Sequence, residues 1–416
     1  MATRALILIE DGNRLSNGPL FVQAARRLGL HPTILSANPA QYDYVAEEDI
    51  QAVRVDTESL DALIRECSRL SVTYDIAGIT SAAESFYAMA GRLSRHFNLP
   101  GPNPASVERC CDKFAQRRLL ATAGVPMPAY RLASDQTEVE RHAAEVGLPV
   151  ILKPAEGRGS SGVRLCRNFD ELAEHTAYLL GGKHVWQCSP RILVEEFAEG
   201  LHYCVDIMGN EVVGISHIDF GPLPHFVYHQ VTYPAVLDSD KYDSIVDVSL
   251  NCLRTLGLGW GATCIELRWT ERGPVVIEVN PRLGGGTAPQ LVQLAYGVDL
   301  VTEHIKLVIG DEWNLCRKHS HTAAVRFLVP ERDGFLDCID GQSQSAAVPG
   351  VAEVRVYVEA KTSLVRKGDY RDCIGYVIAT SSSHDQTEII LQHAVDLISF
   401  SITPFSGKRI GGASSV

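Results

Sequence analysis

"VILKPAEGRGSSGV", residues 150–163, decides between two folds. Gly157, Gly159 and Gly162 are spaced G-x-G-x-x-G, the pattern of a dinucleotide site. That pattern works between a strand and a helix, because the helix N-terminus carries the pyrophosphate. Residues 150–153 read as a strand, but so do residues 163–166, Val163-Arg164-Leu165-Cys166. Strand, Gly/Ser loop, strand is a hairpin, so the dinucleotide reading fails on context and a dehydrogenase is disfavoured with it. The exposed backbone N–H groups of such a hairpin tip can still converge on a phosphate, and Lys153 on the incoming strand can reach the same anion. A mobile surface hairpin has the same composition, and this stretch alone does not choose between the two.

A second stretch, "CIELRWTERGPVVIEVNPRLGGG", residues 264–286, carries more chemistry. Residues 270–274 read as a five-residue turn containing Gly273. Cys264, Glu266 and Arg268 then share one strand face, and Val276, Glu278 and Asn280 share one face of the next strand. A hairpin centred on Arg272 sets Glu266 opposite Glu278, with Cβ atoms roughly 4.5–5.5 Å apart. Two carboxylates so placed repel each other, and a hard cation between them removes the conflict. Mg2+ (or Mn2+) suits such a site, since Mg2+ takes one or two carboxylates plus phosphate oxygens. Asn280 adds a neutral oxygen, Arg282 a fixed charge, and the triglycine 284–286 lets a ligand approach the backbone. Ile265, Leu267, Ile277 and Val279 fill the other face, so two solvated glutamates on an ordinary hairpin are the alternative.

The rest of the chain bounds the function. Its 416 residues suggest two or three domains. A formal charge of −12 argues against nucleic acid or an anionic membrane as partner, and no run of five or six basic residues is present. The start, MATRALILIEDGN, does not read as a signal peptide, and no stretch reaches the ~18 apolar residues of a membrane span. Eleven cysteines without a C-x-x-C read as reduced thiols, most of them core filler, and imply a cytoplasmic protein. The 14 histidines show no zinc spacing, so no dedicated metal cage is expected.

Apolar strands at 5–9, 32–35 and 75–80 alternate with a helical pattern at 21–28, which predicts a parallel sheet. Asp11-Gly12-Asn13 reads as a turn, and the proline-rich stretch 99–104 as a linker. Residues 103–123 read as one helix holding Lys113. A helix over 170–180 is closed by Gly181-Gly182-Lys183. Residues 192–197 and 201–218 read as strands, 217–233 as a loop and 243–256 as a helix. A strand pair occupies 263–280. Short strands and a helix at 387–400 fill the tail, and residues 411–416 read as frayed.

Taken together, the chain resembles an ATP-grasp enzyme from about residue 75 to 310, and more faintly to both ends. "CCDKFAQRRLLATAGVPMPAY" resembles the segment carrying the first nucleotide-binding lysine. "VILKPAEGRGSSGV" resembles the second lysine and phosphate flap, and "ILVEEFAEGLHYCVDI" the adenine and ribose segment. "CIELRW" and "VIEVNPRLGGG" resemble the magnesium segment. The resemblance implies an α/β chain with an N-terminal parallel-sheet (Rossmann-like) domain, a small lid domain and a C-terminal α+β domain. It divides the chain into 1–103, an ATP-grasp region 104–312 with its lid at about 125–195, and a C-terminal subdomain 313–416.

It further implies that Lys113 and Lys153 contact the ATP phosphates and that Gly159, Ser160, Ser161 and Gly162 close over them. Glu195 and the backbone near Ala198 would meet the adenine. His202 stands where the family usually has a ribose-binding Glu. Glu266, Glu278 and Asn280 would bind Mg2+, and Arg282 would stabilise the transferring phosphoryl group. Within the family "NPRLGGGTAPQLV" most resembles L-amino-acid ligases, which implies a small carboxylate and an amine, amino acids among them, as partners and a homodimer. His217, His225, His229, Tyr233, Gly285 and Gly286 would line a substrate pocket. Glu84 and Ser85, after the third strand, sit where parallel sheets bind ligands. Three readings compete: a carboxylate–amine ligase, a biotin-carboxylase-like enzyme activating bicarbonate, and a non-catalytic ATP-binding module.

Overall fold

Ala5 to Ile9 are fully buried on both faces because their strand lies inside a parallel sheet. In the computed structural model, which describes residues 2–10, 17–181 and 190–405, that strand is β1 (Thr3–Ile9). With β2 (His31–Ser36), β3 (Gln51–Arg54) and β4 (Tyr74–Thr80) it forms a four-stranded sheet of order β3-β2-β1-β4. Helices α1 (Gly18–Arg27), α2 (Asp43–Glu47), α3 (Leu60–Leu70) and α4 (Glu84–His96) connect and follow the strands. The weakly apolar β3 and the amphipathic α3 are additions to the sequence reading. The turn at Asp11-Gly12-Asn13, Gly182 and Lys183 of the helix stop, and the tail 411–416 lie outside the described residues.

The single helix expected over 103–123 is two, α5 (Pro104–Cys111) and α6 (Lys113–Thr122). Asp112 is extended, and its carboxylate accepts N–H bonds from Phe114 (2.9 Å) and Ala115 (3.1 Å). An aspartate that caps a new helix outcompetes continuation of the old one. Lys113 thereby becomes the first residue of a helix. Next come β5 (Tyr130–Ala133), α7 (Gln136–Val146), β6 (Val150–Pro154), β7 (Arg164–Cys166), α8 (Phe169–Leu180) and β8 (Ile192–Glu196). Their strands make an antiparallel sheet of order β5-β8-β6-β7, and α7 and α8 pack on one apolar core with it.

The largest sheet carries the remaining chemistry. It holds β9 (Leu201–Met208), β10 (Glu211–Phe220), β11 (Tyr228–Tyr233), β12 (Ala262–Thr270) and β13 (Gly273–Asn280). It continues through β14 (Thr322–Leu328), β16 (Val351–Val356) and β18 (Gly375–Ser381), in the order β13-β12-β9-β10-β11-β14-β18-β16. Helix α9 (Ser239–Leu256) covers one face of β9, β12 and β13. Helices α10 (Ala288–Tyr296) and α11 (Leu300–Val308) join this sheet to the N-terminal unit through a shared core. A small sheet, β15 (Gly334–Asp340), β17 (Ser363–Leu364) and β19 (Ser399–Thr403), with α12 (Gln342–Ala346) and α13 (His384–Asp396), completes the C-terminal part.

Two sequence expectations change here. Residues 217–233 are mostly strand, leaving only 221–227 as the connection, because β10 and β11 pair and their side chains are largely covered. The turn expected over 270–274 is tighter, since Thr270 pairs with Gly273 and only Glu271 and Arg272 lie between. Taken alone, that turn would set Glu266 against Ile277. A bulge beside Ile277 shifts the register by one residue, so Glu266 still faces Glu278. It also turns Val276 into the core with Ile265, Leu267 and Val279, the place expected for Ile277.

Candidate active site

Register alone organises the site. Across β10, β9, β12 and β13, one row reads Ser216, Cys204, Glu266, Glu278 and the next reads Gly214, Asp206, Cys264, Asn280. Opposed residues project to one side of a sheet, so these rows form a single polar face, with His202 and Arg268 in the row beyond. Each of the opposed glutamates has recruited a base. Lys113 Nζ lies 2.7 Å from Glu278 Oε1, and His202 Nε2 lies 3.1 Å from Glu266 Oε2. Burial pushes the Glu266 carboxyl up, but the bond to His202 and the charges of His202, Arg282 and Lys113 hold it below the usual range. Glu266 is thus held as a carboxylate that calls for positive charge, and Asn280 beside the pair is 3% exposed. Two facing carboxylates and a buried amide oxygen fit Mg2+ or Mn2+.

The hairpin tip lies over this face. Lys113 Nζ also donates to Gly157 O at 2.6 Å, and its backbone N–H donates to Ala155 O at 2.8 Å. Burial acts to lower the Lys113 ammonium, but Glu278, Glu84 and Glu266 together raise it. Gly157, Gly159 and Gly162 all have positive φ, as has Ser160 at +60°. That is the left-handed region in which successive N–H groups turn to one side.

Lys153 leaves β6 on the same side, and its ammonium meets Glu195 Oε2 at 2.5 Å. Arg117 Nε donates to the other oxygen, Oε1, at 2.8 Å. All three groups are buried. Burial pushes Glu195 up, but the Arg117 and Lys153 charges overcome it and hold the carboxyl at about 2. Two cations share one anion, leaving a net positive charge under the hairpin. Burial, reinforced by Arg117, lowers the Lys153 ammonium, which is incompletely compensated and suited to a phosphate. The carboxylate of Glu195 is occupied by this network, while Ala198 is buried in the turn before β9.

Arg282 follows β13. Its Nε donates to Glu84 Oε2 at 3.1 Å and its Nη1 to Leu283 O at 2.9 Å, which ties the glutamate-bearing strands to the first turn of α4. Ser85 follows Glu84 in that turn. Gly285 and Gly286 leave open space: the nearest atom to a Cβ on Gly285 is Arg282 Nη1 at 3.8 Å, and none lies within 4 Å for Gly286.

The other expected substrate residues divide. Tyr233 is buried, with its hydroxyl unpartnered beside Gly214. His217 pairs with Tyr203, on the face turned away from Glu266. His229 is exposed, with Nδ1 2.8 Å from Asp219 Oδ2. His225 packs against Gly368 of the C-terminal part.

Several residues were not singled out in the sequence. Asp206 is 3% exposed, and its Oδ2 has no hydrogen-bond partner. Burial pushes its carboxyl up to about 7, against the opposing charge of Arg282. A Cβ on Gly284 would stand 2.8 Å from Asp206 Oδ1, so this glycine permits the loop to lie on the acid. The signal was available: Asp206 lies four residues after His202 on one strand and therefore on the same face. Arg117 carried no local signal, because its partner is 78 residues away. Cys204 and Cys264 meet Sγ to Sγ at 2.7 Å beside Asp206; that bond and burial push the Cys204 thiol up, while the Cys264 thiol is lowered by the bond but raised on balance by burial and the charges of Asp206 and Glu266. The described cysteines are all unpaired, and no described helix is long and apolar enough to cross a membrane.

Comparison with known proteins places this geometry. Residues 112–315 match the family described as carbamoyl-phosphate synthase L chain, ATP binding domain, and residues 326–403 match L-amino acid ligase C-terminal domain 2. A protein of Sinorhizobium fredii (strain NBRC 101917 / NGR234), "Uncharacterized protein y4rH", is 60% identical over 403 residues, covering 97% of this chain and 84% of its own. Human carnosine synthase 1 is 27% identical over 313 residues, 69% of this chain; the chain spans 38% of that enzyme's length. Among solved structures, the L-amino acid ligase from Bacillus licheniformis superposes with a TM-score of 0.80 at 18% identity, covering 97% of this chain and 100% of that one. The opposed glutamates, the lysines under a glycine hairpin and these matches together place the chain in the ATP-grasp superfamily, among its L-amino-acid-ligase-like carboxylate–amine ligases.

Proposed function

We propose that this protein joins a small carboxylate to an amine, amino acids being the expected class, through an acyl-phosphate, with release of ADP and phosphate. The observation that carries the reading is the placement of Lys113, one ammonium shared between the hairpin tip at Gly157 and Glu278 of the opposed pair. It supports a triphosphate beneath the hairpin, with its terminal phosphates towards Glu266 and Glu278. Held by those carboxylates and Asn280, Mg2+ would neutralise charge on the phosphates. Phosphoryl transfer asks little covalent chemistry of a protein; it asks for position and charge neutralisation.

Lys113 and Lys153 would pair with phosphate oxygens, and Arg282 with the transferring group. A substrate carboxylate oxygen attacks the γ-phosphorus and the bond to the ADP oxygen breaks. The neutral amine then attacks the acyl carbon, phosphate leaves with the acyl oxygen, and the amine gives up a proton. The acyl-phosphate hydrolyses readily, so a cover over the site serves the reaction. Glu84, Asp206 and the 284–286 loop lie about Arg282, Tyr233 lies near Asp206, and this group would receive the substrates.

The test is ADP and phosphate release from Mg-ATP across pools of amino acids and other carboxylates, with mass detection of amides. Amine-dependent release with a mass-matched amide is expected, and Glu278→Gln should lower it by 100-fold or more, an order of magnitude drawn from loss of charge stabilisation. Release dependent on bicarbonate and biotin would replace the ligase with a carboxylase. Full activity in Glu278→Gln would remove the metal assignment.

A further inference from the structure

The hairpin tip is held from outside the nucleotide-binding region. Residues 367–372, Lys367-Gly368-Asp369-Tyr370-Arg371-Asp372, lie between β17 and β18 and reach across to it. Ser161 Oγ donates to Asp369 Oδ2 at 3.0 Å, and Arg371 Nη2 donates to Ser161 Oγ at 3.1 Å. Arg371 grips Asp369 as well, Nε to Oδ1 at 2.8 Å and Nη2 to Oδ2 at 2.5 Å. The Tyr370 N–H donates to Gly159 O at 3.1 Å, and the Tyr370 ring lies where a Cβ on Gly159 would stand.

The reaching loop is itself rigid. Asp372 accepts the N–H groups of Lys367 (2.7 Å) and Gly368 (2.8 Å). Gly368, at a φ of +74°, packs against His225 with no room for a side chain. Asp369 is fully buried, and Ser161 is 4% exposed. Burying an ionised pair at a loop-to-loop contact costs desolvation, which only a fixed geometry offsets. The other anchors of the tip come from its own region: Lys113 on Gly157 O, and His175 Nε2 2.9 Å from Gly162 O. Asp369, Tyr370 and Arg371 bring in the C-terminal part, which among the described residues supplies no group to the opposed glutamates.

We propose that Asp369 and Arg371 are positioning residues that latch the glycine hairpin closed through Ser161, so that the C-terminal part sets how long bound phosphates stay covered. The role in covering phosphates rests on the ligase reading above; the latch itself does not. Unlatching lets the tip lift, releases nucleotide sooner and admits water to the acyl-phosphate.

Hydrogen exchange of the 157–162 amides in the full chain, without nucleotide, reads the latch directly. Charge-assisted hydrogen bonds of this kind correspond to roughly 10- to 100-fold in an opening equilibrium. Arg371→Met and Ser161→Ala should each speed exchange by about that factor, and the double variant should be no faster than the faster single, because both cut one contact. In turnover, Arg371→Met should release a fluorescent ADP analogue faster by a similar factor, and its ADP formed per amide should rise above one. A wild-type exchange rate in Ser161→Ala, which leaves the Asp369–Arg371 pair and the fold intact, overturns the latch whatever Arg371→Met does. Multiplying effects in the double variant overturn it equally. Faster exchange in a protein that turns over no carboxylate and amine keeps the latch and removes the ligase.

Discussion

Glu195 shows how much one side chain can hold. It is the only anion in a buried set with Arg117 and Lys153, and its carboxyl lies at about 2, against an ordinary 4.5. Because the folded value is the lower one, its stabilisation is fully present above pH 4.5 and is lost as pH falls from 4.5 towards 2. Glu195→Gln should therefore lower stability at neutral pH by about 3–5 kcal/mol, since two buried cations lose their counter-ion. The variant should also lose less stability than the parent between pH 4.5 and 2. Thermal midpoints measured across that window check both, and parallel curves would exclude the network as an acid-sensitive element. The sequence put Glu195 and Lys153 at one site, but their direct bond was not legible, since it depends on β6 and β8 lying side by side.

At the scale of elements, β13 is an edge strand, and edges need management. Helix α6 supplies it. Gln116 Nε2 donates to Val279 O at 2.8 Å, and Val279 N–H donates to Gln116 Oε1 at 2.9 Å, so a side-chain amide acts as a missing strand. Arg117 Nη2 donates to Ile277 O at 2.5 Å beside the bulge. Gln116→Ala should cost about 1–3 kcal/mol, the usual consequence of unsatisfied buried backbone groups. Exchange of the Val279 amide should rise with the drop in melting midpoint; an unchanged amide would show that the edge is protected otherwise. The alternation of Glu266 and Glu278 was readable because strand parity is local. The bulge was not, because it arises where a two-residue turn and the α9 core make competing demands on one strand.

Across the whole molecule, the C-terminal part is built into the site. Strands β14, β16 and β18 extend the sheet that bears Glu266 and Glu278, and Ala323, Val325, Tyr376 and Ile378 share a core with α1, α10 and α11. A chain ended after residue 320 exposes the β11 edge and opens that core, so it should be insoluble or unfold without cooperativity. Expression and melting of the truncated chain beside the full one decide this, and a soluble, cooperatively folding product would refute it. The sequence by itself determined what periodicity and neighbouring residues encode: the parallel start, the hairpin that rejects a dinucleotide fold, a glutamate on each strand of one ribbon, and the family. Only the tertiary structure decided what joins distant segments: Lys113 between hairpin and Glu278, Arg117 on Glu195, the orphan Asp206 beneath Gly284, and the loop 367–372 on Ser161. The reason is physical, since alternation along a strand is fixed by local backbone geometry, whereas an ion pair between remote residues exists only once folding has buried both and left each no other partner.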